Sequence, residues 1–262
     1  MPLFAATDPA DKVALLNAVA ILARAAGQIE LFYYRVGTVT STKMDGSIVT
    51  AADQAADTYI VKNLNLLTPN IPVVAEESFE AGEIPDISYG RFWLVDSLDG
   101  TKEFVNDSID FTVNIGLIWD GIPILGALHT PENGIVWGGI LGEGAWEECK
   151  DGTRKMIAVR KSLPDKLSVV ASRNSQNPEL DAYIRKMHVK EILLRGSALK
   201  FALIARGDAD IYPRTSPTME WDTAAGHALL LAAGGTMTKF DGSRFDYGKP
   251  NFLNEKFIAR GL

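Results

Sequence analysis

The sequence is poor in the residues that build disulfides and soft metal sites. It has one cysteine, Cys149, and three histidines among 262 residues. A single cysteine excludes an internal disulfide and a thiolate metal cluster, and it fits a reducing compartment. With so few histidines, a histidine metal site or a Ser-His-Asp triad is poorly supplied. His227 in particular is predicted to be structural.

Long apolar runs and an excess of positive charge are also missing. No apolar run approaches the ~18 residues of a membrane helix, and the N-terminus lacks the pattern of a signal peptide. We therefore expect no transmembrane segment and a cytoplasmic protein, with peripheral contact at the inner membrane left open. The formal net charge of −7 argues against nucleic-acid polymers as partners. The sequence does not indicate an oligomeric state.

The pattern along the chain predicts two lobes that pack as one unit, with a site in the cleft between them. Residues 1–155 are expected to form an α+β lobe, with helices at Pro9–Arg35 and from Thr50 and an antiparallel meander. Residues 156–262 alternate strands and helices, which is typical of an α/β lobe. The predicted strands are Ile71–Ala75, Phe92–Val95, Phe111–Trp119, Ile122–Thr130, Ile135–Ile140, Ala145–Cys149, Leu167–Ala171, Glu191–Leu194 and Asp210–Tyr212. The predicted helices of the second lobe are Pro178–Met187, Ser197–Arg206 and Asp222–Ala233.

Acidic residues stand where predicted strands end and predicted helices begin. The residues that share this placement are Asp53, Glu76, Glu77, Asp96, Asp99 and Asp222. Some have a simpler reading when taken alone: Asp222 as an N-cap, and Asp53 as the third residue of a capping box after Thr50. Asp96 and Asp99 are three residues apart across a turn, so both side chains and the carbonyl of Leu98 can face one cavity.

Carboxylates that share a site repel one another unless cations neutralise them. Oxygen ligands without a soft ligand select Mg²⁺, Ca²⁺ or Mn²⁺ rather than Zn²⁺, and Mg²⁺ favours carboxylates combined with waters and substrate phosphate. The residues alone therefore predict Mg²⁺-dependent phosphoryl or phosphate-ester chemistry. A Walker motif, a complete dinucleotide fingerprint and a GxSxG elbow are all absent from the sequence.

Four motifs carry a family resemblance across most of the chain. They are GSIVTAAD (46–53), VVAEES (73–78), WLVDSLDGTKEF (93–104) and WDTAAGHALLLAAGG (221–235). Together they resemble the inositol monophosphatase superfamily, which implies a layered αβαβα sandwich of the sugar-phosphatase type with the active site between two lobes. The segments DGTKEF (99–104), FTVNI (111–115), GSALKF (196–201) and YPR (212–214) are most similar to bacterial 3'(2'),5'-bisphosphate nucleotidases.

The resemblance implies roles for individual residues. The residues that resemble ligands of two or three Mg²⁺ ions are Glu76, Asp96, Asp99, Asp222 and the carbonyl of Leu98, with Glu77 behind them or on a third ion. Asp53 and Thr101 resemble the pair that orients and deprotonates the attacking water. The residues that resemble the substrate-binding set are Gly100, Thr101, Lys102, Ser197, Lys200 and Arg214. Lys43 is a further candidate, although a surface lysine is its simpler reading.

The implied reaction removes the 3'-phosphate of adenosine 3',5'-bisphosphate, giving AMP and phosphate by in-line attack of a metal-activated water. Lithium inhibition and a place in sulfur metabolism are implied with it. Two alternatives stay open: a sugar phosphatase of the inositol monophosphatase or fructose-1,6-bisphosphatase kind, and a catalytically silent phosphate-binding regulator. Ser97 stands where the family usually has proline, and Ser175 where it often has histidine. Two divalent cations would offset four of the six acidic charges, so an acidic protein can accept a small nucleotide.

Overall fold

The computed structural model describes residues 9–37, 40–42, 48–106, 108–173 and 177–262, so Lys43 and Ser175 lie outside the described residues. The helices are α1 (Pro9–Val36), α2 (Ala51–Leu67), α3 (Glu76–Glu80), α4 (Thr101–Val105), α5 (Pro178–Ile184), α6 (Leu199–Ala205) and α7 (Trp221–Ala232). The strands are β1 (Thr40–Thr42), β2 (Ile48–Thr50), β3 (Val73–Ala75), β4 (Arg91–Asp99), β5 (Thr112–Trp119), β6 (Ile122–Thr130), β7 (Ile135–Ile140), β8 (Gly144–Glu148), β9 (Arg154–Ile157), β10 (Leu167–Ser172), β11 (Val189–Arg195), β12 (Ile211–Arg214), β13 (Thr236–Lys239) and β14 (Phe257–Arg260).

Two large sheets alternate with three layers of helices. The larger sheet has the strand order β3-β4-β5-β6-β7-β8-β9, and the smaller sheet has the order β11-β10-β12-β14-β13. Helices α1 and α2 pack on the outer face of the larger sheet, and α6 and α7 lie between the two sheets. Helix α5 covers the outer face of the smaller sheet through Leu180 and Ile184. This arrangement is the αβαβα sandwich, and it confirms the predicted fold class.

The predicted elements are correct in kind and differ at their ends. The strand predicted at Phe92–Val95 continues to Asp99, because its last residues still pair with β5 across an irregularity between Asp96 and Asp99. The helix predicted from Ser197 begins two residues later, since Ser197 has a left-handed φ of 48°. Strand β9 was not predicted because its exposed residues show no apolar alternation.

Helix α7 lies on a row of glycines that runs across the larger sheet. Gly116, Gly126 and Gly139 are register neighbours on β5, β6 and β7. A Cβ at Gly126 would lie 2.9 Å from the Cβ of Ala228 and closer still to the carbonyl oxygen of Ala225. The row therefore lets the helix approach the sheet more closely than any side chain would allow, and this approach positions the start of α7.

We expect Gly126→Ala to destabilise the fold by about 1–3 kcal/mol, the usual cost of overpacking a tight contact. Because the contact lies one turn from the start of α7, cation binding should weaken as well. Gly139→Ala is the matched control, since its Cβ would meet Ala232 near the far end of the helix at 2.8 Å. Denaturant unfolding and Mg²⁺ titration of both variants check this. Equal cation affinity in the two variants would contradict the positional part of the prediction.

Helix α1 qualifies the expectation about membrane segments. By length and composition alone, residues Asp11–Val36 could cross a membrane. In the structure, 56% of the apolar window is buried, and the helix packs against α2 and the larger sheet. Burial of this kind is typical of a core helix in a folded domain, so one such helix is weak support for a membrane span.

Candidate active site

Three carboxylates converge beside the end of strand β3, on the last part of strand β4 and at the start of helix α7. Glu76 and Asp96 directly follow Ala75 and Val95, which are register partners on the parallel strands β3 and β4. Asp222 lies in the first turn of α7, which crosses the same sheet. One carboxylate oxygen from each of Glu76, Asp96 and Asp222 lies within 4.8 Å of the other two. The structure therefore brings together three of the six acids that the sequence singles out.

The electrostatics of this cluster fit a bound cation. Burial raises the pKa of Asp96 well above its ordinary value, and repulsion from Glu76 and Asp99 adds to the rise. Burial likewise raises the pKa of Asp222 to about 7, with the charge of Asp99 as the next cause. Ionised carboxylates are therefore costly here without a positive charge. Because every donor in the cluster is an oxygen, the residues fit a hard divalent cation.

Asp99, Leu98 and Glu77 lie around this cluster. Asp99 is fixed by Asn114, whose side-chain nitrogen donates to it over 3.2 Å. Burial raises the pKa of Asp99, and the charge of Lys200 opposes the rise. The carbonyl oxygen of Leu98 lies 3.3 Å from the hydroxyl of Thr101. Glu77 follows Glu76 in the first turn of α3 and is half-buried.

Asp222 is not the N-cap that the simpler reading of the sequence suggests. The cap position is Glu220, and the Asp222 carboxylate accepts the backbone N–H of Met219 over 2.8 Å. Glu220 is fully buried and accepts the backbone N–H groups of Gly248 and Lys249 over 2.8 and 2.9 Å. Asp222 is thus held at the start of α7 by a turn that is itself anchored to a distant loop.

The two carboxylate oxygens of Asp53 accept hydrogen bonds from two different residues. Its Oδ2 accepts the Thr50 backbone N–H over 2.8 Å and the Thr50 hydroxyl over 2.6 Å, which completes a capping box at the start of α2. Its Oδ1 accepts the Thr101 hydroxyl over 3.1 Å. Ser97 donates to the Asp53 carbonyl over 3.1 Å and so joins β4 to α2. The capping reading of Asp53 is therefore confirmed, and its other oxygen contacts Thr101, the residue with which the resemblance pairs it.

A second carboxyl, Glu30, lies near Asp53 and was not predicted. It is fully buried on α1, and neither of its oxygens has a hydrogen-bond partner in the described part of the chain. Burial raises the pKa of Glu30 well above its ordinary value, and the charge of Asp53 adds to this. Burial raises the pKa of Asp53 as well, but the hydrogen bonds from Thr50 and Thr101 oppose that rise, and the Glu30 oxygens accept none in the described residues.

A polar cavity of about 440 Å³ opens beside the carboxylates. It is lined by Asp99, Gly100, Lys102, Glu103, Ser172, Asn177, Ser197, Ala198, Lys200, Phe201, Tyr212, Arg214, Ser216, Thr218, Asp222 and Thr223. Gly100 has a left-handed φ of 100° and starts the short helix α4. Five of the predicted substrate-binding residues thus line one cavity, and Thr101 follows Gly100 at its edge.

The positively charged side chains that line the cavity differ in their surroundings. The Lys200 side chain is buried and donates to the carbonyl oxygen of Ser197. Burial lowers the pKa of Lys200 to about 8, although the charge of Asp99 opposes this. Arg214 reaches the carbonyl of Ser216 over 3.3 Å, and Lys102 is exposed at the rim. The cavity therefore combines one buried and two more accessible positive charges.

A contact beside the cavity between residues far apart in the chain was also not predicted from the sequence. The Asp110 carboxylate, before β5, accepts the Arg173 guanidinium over 2.7 Å and the Gly196 backbone N–H over 3.2 Å. Gly196 precedes Ser197, so this contact fixes one wall of the cavity. Arg173 and Asp110 are 63 residues apart, and no local pattern in the sequence marks them as partners.

His227, expected to be structural, is buried on α7. Its Nδ1 lies 3.1 Å from the hydroxyl of Tyr247. Burial lowers the pKa of His227 to about 3, and the charge of Lys249 adds to this. A neutral, buried and hydrogen-bonded imidazole is a core side chain, as predicted.

Comparison with known proteins gives concordant results. The model of the inositol monophosphatase family matches residues 10–260. The chain is 43% identical to the 3'(2'),5'-bisphosphate nucleotidase CysQ of Salmonella typhimurium over 246 residues, and to that of Escherichia coli K12 over 247 residues. Each alignment covers 93% of this chain and 98% of the relative. The crystal structure of CysQ from Bacteroides thetaiotaomicron superposes with a TM-score of 0.80 at 32% identity, covering 95% of this chain and 97% of that one.

Proposed function

Because the chain belongs to the inositol monophosphatase family, we propose that it removes the 3'-phosphate of adenosine 3',5'-bisphosphate, giving AMP and phosphate. The observation that carries the proposal is the close approach of the Glu76, Asp96 and Asp222 carboxylates beside a cavity lined by positively charged side chains. The relatives described above are named for this class of substrate. The family is one of phosphatases that depend on a divalent cation, and we propose Mg²⁺, in two or three copies, as that cation.

The cavity supports a substrate with two phosphate groups. One phosphate would lie against the start of α4, where the backbone N–H groups of Gly100 and Thr101 and the helix start favour an anion. Lys200 and Arg214 line the same cavity and would receive the second phosphate. Ser197, at the cavity wall, would hold the nucleoside between them. Lys102 at the rim would attract the anion during approach.

Asp53 and Thr101 would handle the proton of the attacking water. The Thr101 hydroxyl lies 3.1 Å from Asp53 and 3.3 Å from the Leu98 carbonyl oxygen, and its one proton would go to Asp53 when a cation occupies that carbonyl. The hydroxyl oxygen of Thr101 would then accept a hydrogen bond from the attacking water and so orient the water oxygen toward phosphorus. Asp53 is the base that receives the displaced proton. Glu77 would support the carboxylate cluster from the first turn of α3.

The acidic cluster and the Leu98 carbonyl would hold the divalent cations. When bound, such cations lower the pKa of water and neutralise the charge of the phosphate and the leaving oxygen. Residues 1–155 would supply most of these ligands, and residues 156–262 would supply Asp222 and the nucleotide contacts. The single cysteine supports a cytoplasmic location, where the substrate would be a free small nucleotide.

The test is phosphate release, with Mg²⁺, from adenosine 3',5'-bisphosphate, inositol 1-phosphate and fructose 1,6-bisphosphate. We expect the highest kcat/KM with the nucleotide. Preference for a sugar phosphate would replace the proposal with a sugar phosphatase. Release from none of the three would support a silent phosphate-binding protein, although such a protein has no need for the Thr101–Asp53 pair.

Lys200 should give the reaction an alkaline limit. Since its pKa is about 8, its positive charge is present below that pH and is lost above it, so kcat/KM for the bisphosphate should fall above pH 8. Lys200→Met should lower kcat/KM by about 10- to 100-fold below pH 8, the value of a charge-assisted contact, and should remove the alkaline decline.

Lys102→Met is the matched control, because Lys102 lines the same cavity but is exposed. This variant should keep the alkaline decline. The measurement is a pH profile of kcat/KM for wild type and both variants. An unchanged decline in Lys200→Met would assign the titration to another group.

A further inference from the structure

Glu103 is an acidic side chain in the wall of a cavity that is proposed to bind two phosphates. Among the described residues three acids line this cavity: Asp222 belongs to the carboxylate cluster and Asp99 lies beside it. Glu103, on α4, has no part in the reaction described above. An ionised carboxylate only accepts hydrogen bonds and repels phosphate, so Glu103 is suited to a hydrogen-bond donor of the substrate rather than to its phosphates.

We propose that the Glu103 carboxylate accepts a hydrogen bond from the ribose hydroxyl next to the phosphate that is removed. The substrate class is therefore the ribonucleotides, and a 2'-deoxynucleotide with the same two phosphates is a poor substrate. A site that hydrogen-bonds a substrate hydroxyl rejects the analogue that lacks it, because the partner group is left unpaired. This inference rests on the proposed function, since it places a nucleoside 3',5'-bisphosphate in the cavity.

The position of Glu103 in α4 indicates which substrate group it meets. Glu103 follows Thr101 in the same short helix, Thr101–Val105, whose start is the proposed position of the phosphate that is removed. In the substrate, the carbon that bears the 2'-hydroxyl is bonded directly to the carbon that bears the 3'-phosphate. The amino group of adenine is at the far end of the nucleoside. The 2'-hydroxyl is therefore the hydrogen-bond donor of the nucleoside that lies nearest to α4.

The Glu103 side chain lies against the wall that carries Ser197. A Cβ added at Gly196 would lie 2.8 Å from Cγ and 2.9 Å from Oε1 of Glu103, so glycine at this position leaves room for the carboxylate. The Gly196 backbone N–H donates to Asp110 over 3.2 Å, which fixes this part of the wall. Because Ser197 is the residue proposed to hold the nucleoside, Glu103 and Ser197 lie at the same part of the cavity.

The charges near Glu103 support a position between the two phosphates. Burial raises the pKa of the Glu103 carboxyl, the negative charge of Asp99 adds to the rise, and the positive charge of Lys200 opposes it. Asp99 directly precedes Gly100, at the position proposed for the first phosphate, and Lys200 is proposed to bind the second. A group that lies near both charges is placed where the ribose joins the two phosphates.

The experiment compares kcat/KM, with Mg²⁺, for adenosine 3',5'-bisphosphate and 2'-deoxyadenosine 3',5'-bisphosphate. We expect wild type to prefer the ribonucleotide by about 10- to 100-fold, the usual effect of a hydrogen bond to a charged group. Glu103→Leu removes the acceptor oxygens and should reduce this preference to about threefold or less. It should do so by slowing the ribonucleotide alone, because loss of a carboxylate does not harm binding of a substrate without the hydroxyl.

Glu103→Gln is the second variant, and it keeps the shape of the side chain if the leucine variant does not fold. Its neutral amide oxygen still accepts a hydrogen bond, so its preference should lie between those of wild type and Glu103→Leu. Glu179→Gln is the matched control, because it makes the same change on α5, where the Glu179 carboxylate pairs with Lys256 over 2.6 Å. It should keep the wild-type preference. Thermal unfolding with and without Mg²⁺ shows that each variant is folded and binds the cation.

The ratio of the two kcat/KM values separates this inference from the proposed function. Equal values for the two nucleotides in wild type overturn the inference and leave the proposed function standing. A Glu103→Leu variant that slows both nucleotides by the same factor also overturns it, and would make Glu103 a partner of Lys200 rather than of the substrate. Release from neither nucleotide overturns the proposed function and the inference with it.

Discussion

Asp96→Asn is expected to lower the rate of phosphate release by at least about 10³-fold, without lowering the stability of the cation-free protein. The activity loss follows because a divalent cation contributes several kcal/mol to charge stabilisation in the transition state. The fold should tolerate the change, since asparagine has the same shape and its carbonyl oxygen can still accept the Leu98 N–H that Asp96 accepts over 3.1 Å.

The pH dependence of the same variant's stability should show whether ionisation of the buried Asp96 carboxyl destabilises the fold. Burial, with repulsion from Glu76, holds the folded-state pKa of Asp96 well above its unfolded value. Its contribution to stability is therefore present at low pH and is lost as pH rises through the folded-state pKa. Asparagine does not ionise and escapes this loss, so the stability of the cation-free variant relative to wild type should increase as pH rises above the ordinary pKa of an aspartate.

Thermal unfolding with and without Mg²⁺ checks the prediction. Wild type at about 100 times Kd should gain about 2.7 kcal/mol from the cation, and Asp96→Asn should gain little. Asp210→Asn is the matched control, because Asp210 is also buried but is paired with Arg160 over 2.7 and 2.8 Å. It should lose stability and keep the full response to Mg²⁺. If Asp96→Asn retains that response, Asp96 is not a cation ligand.

Much of the carboxylate cluster could be predicted because its position follows from local rules. An apolar run that ends in an acid indicates a buried strand with a carboxylate at the sheet edge, and two such parallel strands bring Glu76 and Asp96 together. The capping box at Thr50 is equally local. Such features depend on residues within a few positions of one another, so the sequence alone can indicate them.

The supporting contacts could not be predicted because they join residues that are far apart in the chain. Asn114 holds Asp99 from the neighbouring strand, and Asp110 reaches Arg173 across 63 residues. Glu30 lies on a helix whose pattern predicts only an apolar face, and no local rule marks one position of that face as a carboxyl beside Asp53. These contacts become visible only when the packing of separate elements is known.

Asp53→Asn should distinguish a role of Asp53 as the base from a role as a cation ligand. Loss of the base is expected to lower kcat by about 10²–10⁴-fold, whereas Mg²⁺ binding should remain, because Asp53 is not in the close group of Glu76, Asp96 and Asp222. Calorimetric titration with Mg²⁺ alongside phosphate release measures both. A variant that loses Mg²⁺ binding together with activity would place Asp53 among the ligands instead.

Thr50→Ala is the control that isolates the capping role of Asp53. It removes a hydroxyl from the capping box but leaves the Asp53–Thr101 contact, so stability should fall by about 1 kcal/mol while kcat at its optimum pH stays near that of wild type. Burial raises the pKa of Asp53, and the hydrogen bonds from Thr50 oppose that rise. Removing the hydroxyl should therefore raise the pKa further and move the acid limb of the kcat/KM profile to higher pH. Because the base must be ionised to accept a proton, an acid limb that stays in place would show that Asp53 does not govern it.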